Sequence, residues 1–193
     1  MKKDLYLMRH GQTLFNIRNK IQGWCDSPLT PLGISQAKQA GEKLKHIPFD
    51  HYYCSTAERS SDTLELIIAP SQPYTRLKGL KERYFGTFEG ESEDLNPHFE
   101  NFDYDDLFPH YGGETFEEVK KRVRSTVEEL MNQEDHQIVL ACSHSGASYA
   151  FYATTSDDQK RMFEIGAFKN GCILHYTYEN GVFNFVEVLK PKV

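Results

Sequence analysis

The sequence predicts an α/β fold: a three-layer α/β/α sandwich with a mostly parallel central sheet and an antiparallel edge. Three observations lead there. From Asp4 to Cys142, short apolar runs of strand type alternate with segments of helical period. Gln137–Cys142 is apolar without alternation, the pattern of a strand covered on both faces. Near the end, Cys172–Tyr178 and Val182–Leu189 flank Asn180-Gly181, a dipeptide that favours a tight antiparallel hairpin.

The elements follow in order. Asp4–Arg9 reads as a first strand that stops at Arg9-His10-Gly11. Pro31–Ile47 reads as a helix with Thr30 as its cap, Pro31 in its first turn, and Ile34, Ala37, Leu44 and Ile47 on one face. His51–Cys54 is a short second strand, and Thr56 is placed to cap the helix after it, with Leu64, Ile67 and Ile68 inward. Thr115–Met131 carries the clearest helical signature: Thr115 and Glu118 make a capping box ahead of Phe116, Val119, Val123, Val127 and Leu130. Between Glu91 and Gly112 the pattern breaks. That stretch holds seven Asp or Glu, five aromatics and no Lys or Arg. It reads either as a lid over one end of the sheet or as a solvated surface loop.

A chain of 193 residues fits a single domain, 1–193, with the lid as an insertion at about 91–112. A formal net charge of −6 argues against a bulk nucleic-acid or membrane-surface binder, since either needs a basic face. It leaves room for a phosphorylated small molecule held by a few local cations. The apolar stretch within Met1–Gly11 is too short for a signal peptide, and no run is long enough to span a membrane. Cys25, Cys54, Cys142 and Cys172 form no CxxC pair and no metal-finger spacing. The expectation is a cytoplasmic protein with reduced thiols.

The strand assignments also place chemistry. Arg9-His10-Gly11 and Ser143-His144-Ser145-Gly146 lie at the carboxyl ends of two strands, and Arg59 lies in the first turn of the helix after the second strand. In an open α/β sheet these ends face one crevice, where ligands bind. Helix starts near Thr56 and Gly146 add free N–H groups there. Two guanidinium groups can grip phosphate oxygens through paired hydrogen bonds, and a neutral imidazole can attack phosphorus. A metal reading of His10 and His144 is weaker, because both sit among cations and no ligand spacing such as HExxH occurs.

These residues resemble a known family. Leu7-Met8-Arg9-His10-Gly11-Gln12-Thr13 is similar to the RHG signature of the histidine phosphatase superfamily, the phosphoglycerate mutase-like family. Further blocks follow in family order: Asn16, Gln22 to Gly33 with Gln36-Ala37, Ser55 to Arg59 and Thr63, and Leu80-Lys81-Glu82 with Gly86 and Glu89-Gly90. Gly112 to Thr115 with Arg122, and Ser143-His144, complete the series. The resemblance implies that His10 carries the phosphate and that Arg9, Arg59 and His144 bind it. It implies further polar contacts to phosphate or substrate from Asn16, Gln22, Gly23 and Ser145, where the family usually has Gly in place of Ser145. It implies that Glu82 protonates the leaving oxygen and then helps activate water. On its own, Lys81-Glu82-Arg83 would read as a surface patch. Glu114 reads as a helix-start residue outside the catalytic set.

The resemblance leaves the reaction between two enzymes. Mutases of the family carry a longer insertion after the acid block, rich in Lys and Arg; here that stretch is short and has no cation. Seven carboxylates would repel a bisphosphoglycerate cofactor. The expected function is a metal-independent phosphomonoesterase of the histidine acid phosphatase type, with no cofactor and a small phosphorylated substrate. A cofactor-dependent phosphoglycerate mutase is the first alternative, and a non-catalytic phosphate- or phosphoprotein-binding module the second. The sequence leaves the substrate and the oligomeric state open.

Overall fold

The computed structural model of the chain describes residues 2–95, 107–156 and 158–192. Six strands form one sheet: β1 (Lys3–Arg9), β2 (His51–Ser55), β3 (Thr75–Leu77), β4 (Ile138–Ser143), β5 (Ile173–Glu179) and β6 (Val182–Leu189). Their order across the sheet is β3-β2-β4-β1-β5-β6. The first four are mutually parallel, and β5 and β6 run antiparallel at the edge. The helices are α1 (Leu14–Ile17), α2 (Pro31–Leu44), α3 (Glu58–Glu65), α4 (Phe116–Met131), α5 (Ser145–Ala153) and α6 (Gln159–Glu164).

Alternation along the strands divides the core into two layers. Leu5 and Leu7 of β1 face Val119, Val123, Val127 and Met131 of α4 and Phe151 of α5. Tyr6 and Met8 point the other way, to Ala40 and Leu44 of α2 and Leu64 of α3. The expected three-layer sandwich with its antiparallel edge is therefore present. No helix among the described residues is long and apolar enough to cross a membrane.

Several local expectations change. Thr56 does not cap α3: the N-cap is Ala57, which offers no side-chain acceptor, and Asp26 accepts from Glu58 N instead. Helix α2 stops at Leu44, and Ile34 lies outward because Gly33, Gln36, Ala37, Ala40 and Leu44 take the inner face. The short strand β3 and helix α6 had no clear sequence signal. The expected lid falls largely on residues 96–106, outside the described residues. In the flank that is described, Phe108 is fully buried and packs edge-on to Phe85, with centroids 4.7 Å apart.

One close approach matters for the site. The first turn of α2 lies directly on the backbone after His10: a Cβ on Gly33 would stand 2.1 Å from Gln12 O, and one on Gly11 2.4 Å from Gly33 O. Both partners are backbone atoms, so only a shift of the chain could relieve the clash. Gly33→Ala is therefore expected to cost about 2–3 kcal/mol, read as a lower urea midpoint. A loss below about 0.5 kcal/mol would mean that the loop after β1 is more compliant than this packing implies.

Candidate active site

Sheet register builds the centre of the site. β1 and β4 are parallel neighbours with Arg9 opposite Ser143. The next residue of each chain segment is a histidine, so His10 and His144 emerge side by side. His10 N donates to Ser143 O at 3.1 Å, and the two rings meet edge to face with centroids 5.2 Å apart. His10 is 4% exposed and His144 fully buried.

Arg59, from the first turn of α3, lies between them and is itself fully buried. All five of its N–H donors are engaged. Nε donates to His10 Nε2 (3.2 Å), and one terminal nitrogen to His144 Nδ1 (2.9 Å) and Gly23 O (2.7 Å). The other reaches Cys25 O (2.8 Å) and Asp26 Oδ1 (3.0 Å). A guanidinium can only donate, so it fixes both imidazoles as acceptors on the facing nitrogen. The remaining protons then have clear places: His10 Nδ1 donates to Gly11 O (2.7 Å), and His144 Nε2 donates to Ser55 Oγ (2.6 Å). Burial first, and then the charges of Arg59 and Arg9, hold the His10 pKa well below its usual value. His144 is depressed likewise, by burial and then by Arg59. The site thus presents two neutral imidazoles beside a buried cation.

Glu82 reaches the same place from the loop after β3. Its Oε2 accepts from Gly146 N, and its Oε1 from Ala147 N and Arg83 N, each at 2.8 Å. Two of those donors belong to the first turn of α5, where the helix dipole favours a carboxylate. The Glu82 backbone is clamped too. Arg122 donates to Gly79 O, Lys81 O and Glu82 O, and pairs with Glu114 at 2.7 Å; Trp24 Nε1 donates to Glu82 O.

A cavity of about 590 Å³ lies against this centre, lined by Arg9, Asn16, Gln22, Glu82 and Ser145 among others. Arg9 gives one terminal N–H to Phe168 O at 2.6 Å, while its buried Nε has no hydrogen-bond partner among the described residues. A buried donor left unmet is costly, and an anion at the cavity floor would satisfy it. The Asn16 amide is oriented by its oxygen, which accepts from Thr13 N (3.0 Å) and Asn170 Nδ2 (3.1 Å). Gln22 accepts from Thr13 Oγ1 at 2.7 Å, and Ser145 Oγ donates to Phe168 O at 3.1 Å. At Gly23 the carbonyl faces Arg59, and a Cβ there would stand 2.3 Å from Arg83 O.

The sequence profile of the histidine phosphatase superfamily (branch 1) matches residues 5–190. The chain belongs to that family. An adenosylcobalamin/alpha-ribazole phosphatase from Salmonella typhimurium is 30% identical over 192 residues, covering 95% of this chain and 90% of its own. A 2,3-bisphosphoglycerate-dependent phosphoglycerate mutase from Bradyrhizobium is 41% identical over 96 residues, but these are 47% of this chain and 46% of its own. Among solved structures, a phosphoserine phosphatase mutant from Entamoeba histolytica in complex with phosphoserine aligns with TM-score 0.81 and 26% identity, over 96% of each chain.

In this member of the superfamily, the nine residues singled out from the sequence fall into two groups. Arg9, Asn16, Gln22, Glu82 and Ser145 line the cavity; His10, Arg59, His144 and Gly23 form the buried layer behind it. Sequence reasoning missed the residues that hold them: Asp26, Ser55, Asn170 and the Arg122–Glu114 pair. It also missed part of the wall, namely Lys20, Tyr149 and Phe163. Asp26 stood within the block from Gln22 to Gly33, but nothing in its spacing pointed to Arg59.

The depressed histidines make stability depend on pH. Their folded pKa values lie below the unfolded value of about 6.5, so the unfolded chain takes up protons that the folded chain resists. The stability they contribute is complete above about pH 6.5 and falls as the pH drops from there toward each folded pKa. The slope is up to about 1.4 kcal/mol per pH unit for each histidine. Urea midpoints measured from pH 7 to 5.5 should fall in the wild type and fall less steeply in His10→Gln. Equal slopes would assign the proton uptake to other groups.

Proposed function

We propose that the chain is a metal-independent phosphomonoester hydrolase that works through a phosphohistidine on His10. The observation that carries this reading is the state of His10: a neutral ring whose Nδ1 proton is bound to Gly11 O, with its Nε2 lone pair directed at Arg59. That lone pair is the nucleophile. The 3.2 Å contact with Arg59 lies at the long end of hydrogen bonding, so a phosphate oxygen seated beside Nε2 can take over the Arg59 Nε–H while the other four donors stay held. Arg9 Nε supplies a second donor, and Asn16 and Gln22 supply amide groups from the cavity wall.

Attack by Nε2 forms a P–N bond and breaks the ester P–O bond. Glu82 passes a proton to the leaving oxygen, the negative charge of the seated phosphate offsetting the hold of the α5 amides on its carboxylate. Water then attacks the phosphohistidine, Glu82 takes a proton from it, and inorganic phosphate departs. Arg9, Arg59 and His144 stabilise charge on the phosphoryl oxygens through both steps, which is where phosphoryl transfer needs help.

Two observations favour hydrolysis over mutase chemistry. The relative aligned along nearly the whole chain is named a phosphatase, whereas the mutase cited above matches over about half. The cavity also has few charges to spare for a second phosphate: Lys20 is its one cation beside Arg9 among the described residues, and Glu93 and Glu82 oppose it. Phe85, Phe108, Tyr149 and Phe163 give the same cavity apolar walls that suit a small metabolite with an apolar or aromatic part.

Phosphate release from a panel of phosphomonoesters without added metal should be abolished in His10→Ala. No turnover in wild type, restored by bisphosphoglycerate, would favour the mutase reading. Replacing Glu82 by Gln should slow alkyl phosphates by about 10²–10⁴ and p-nitrophenyl phosphate far less, because nitrophenolate leaves without a proton. Equal losses on the two substrates would remove Glu82 as the acid.

A further inference from the structure

At the opposite end of the sheet, a second cluster of polar side chains has no part in this chemistry. His51 opens β2, and Asp135 and His136 precede β4. The two imidazoles are stacked, with centroids 3.6 Å apart and planes 7° from parallel. Both present a nitrogen to one carboxylate: His51 Nε2 lies 3.2 Å from Asp135 Oδ2, and His136 Nδ1 lies 2.8 Å from Oδ1. One donor atom from each of the three lies within 4.8 Å of the others.

We propose that His51, Asp135 and His136 form a binding site for a divalent transition-metal cation of the zinc class. Two imidazole nitrogens and a carboxylate oxygen are the donor set such ions take, with a fourth position left for water. His136 is 5% exposed and backed by Tyr53, whose hydroxyl lies 2.5 Å from its Nε2. With a metal on Nδ1, His136 Nε2 carries the proton and donates to that hydroxyl, which is how a ligating histidine is usually held. The third ligand lies at the surface: the Asp135 side chain is 73% exposed. Binding draws that carboxylate inward and tilts the parallel rings so that their lone pairs converge. Neighbouring charge assists, because Asp50 lies beside the cluster and accepts from Gln137 N and Ile138 N.

The site ties the start of β2 to the start of β4, which are paired in the sheet. It lies about one strand length, roughly 20 Å, from the catalytic end. A metal there stabilises the fold and leaves catalysis alone. The sequence hid the cluster because His51 and His136 are far apart in the chain and match no ligand spacing.

The test uses purified protein, Co²⁺ as the optical probe and Zn²⁺ as the stabilising ion. Wild type should take up one Co²⁺ per chain with visible d–d absorption. A Zn²⁺ concentration a hundredfold above its Kd should raise Tm by roughly 5–10 °C. His51→Gln and Asp135→Asn, milder than truncating the buried His136, should abolish both effects while phosphate release stays at the wild-type rate. Absence of Co²⁺ uptake in wild type would overturn the proposal. So would uptake that persists in both variants, which would place the ion elsewhere, the His10–His144 pair included.

Discussion

The buried guanidinium of Arg59 is the constraint on which the site depends. A cation without solvent contact survives only if its donors are met, and here every one is. Its partners are the two histidines of the proposed chemistry, His10 and His144, and the carbonyl-rich turn at Gly23 to Asp26. The same charge fixes which nitrogen of each histidine is an acceptor and makes protonating either ring unfavourable. Removing Arg59 would therefore do more than delete a phosphate contact. It would leave two imidazoles free to choose tautomers and one carboxylate, Asp26, without its cation.

The rest of the fold delivers groups to that centre. β1 and β4 bring the two histidines into register, and α3 sends Arg59 between them. Helix α5 presents its first amides to Glu82. The Gly11–Gly33 contact lets α2 lie close enough that the chain after His10 has no slack. Around this rigid floor the wall of the cavity is built from separate segments: Asn16 and Lys20 near α1, Phe85 and Phe108 beside the acid loop, and Tyr149 and Phe163 from α5 and α6. A family can keep such a floor while changing its wall, which is consistent with relatives named for different substrates.

Much of this was legible in the sequence, for identifiable reasons. Strand ends are marked by sharp transitions such as Arg9-His10-Gly11, and the topology rule then places them at one edge. Thr115 with Glu118, Thr30 with Pro31, and Asn180-Gly181 carry local signals that the structure repeats. What stayed hidden was held by tertiary context. Asp26 acts as a cap for α3 only because the chain returns there. β3 is three residues long and exists because β2 offers it an edge. Asn170 fixes Asn16 across more than 150 positions of sequence. The Glu114–Arg122 bracket looked like ordinary helix-start chemistry, since its role is to hold a loop that only the fold brings near.

The proposed chemistry stands on His10 carrying the phosphoryl group during turnover. The most direct measurement is to quench a reaction with a reactive aryl phosphate in its first turnovers and map the label by mass spectrometry under conditions that preserve phosphoramidates. One acid-labile phosphoryl group per active chain is expected, on the peptide that contains His10, forming and decaying at rates compatible with turnover. Steady phosphate release with no labelled peptide would contradict it and point to direct attack by water. A label on any residue other than His10 would contradict it as well.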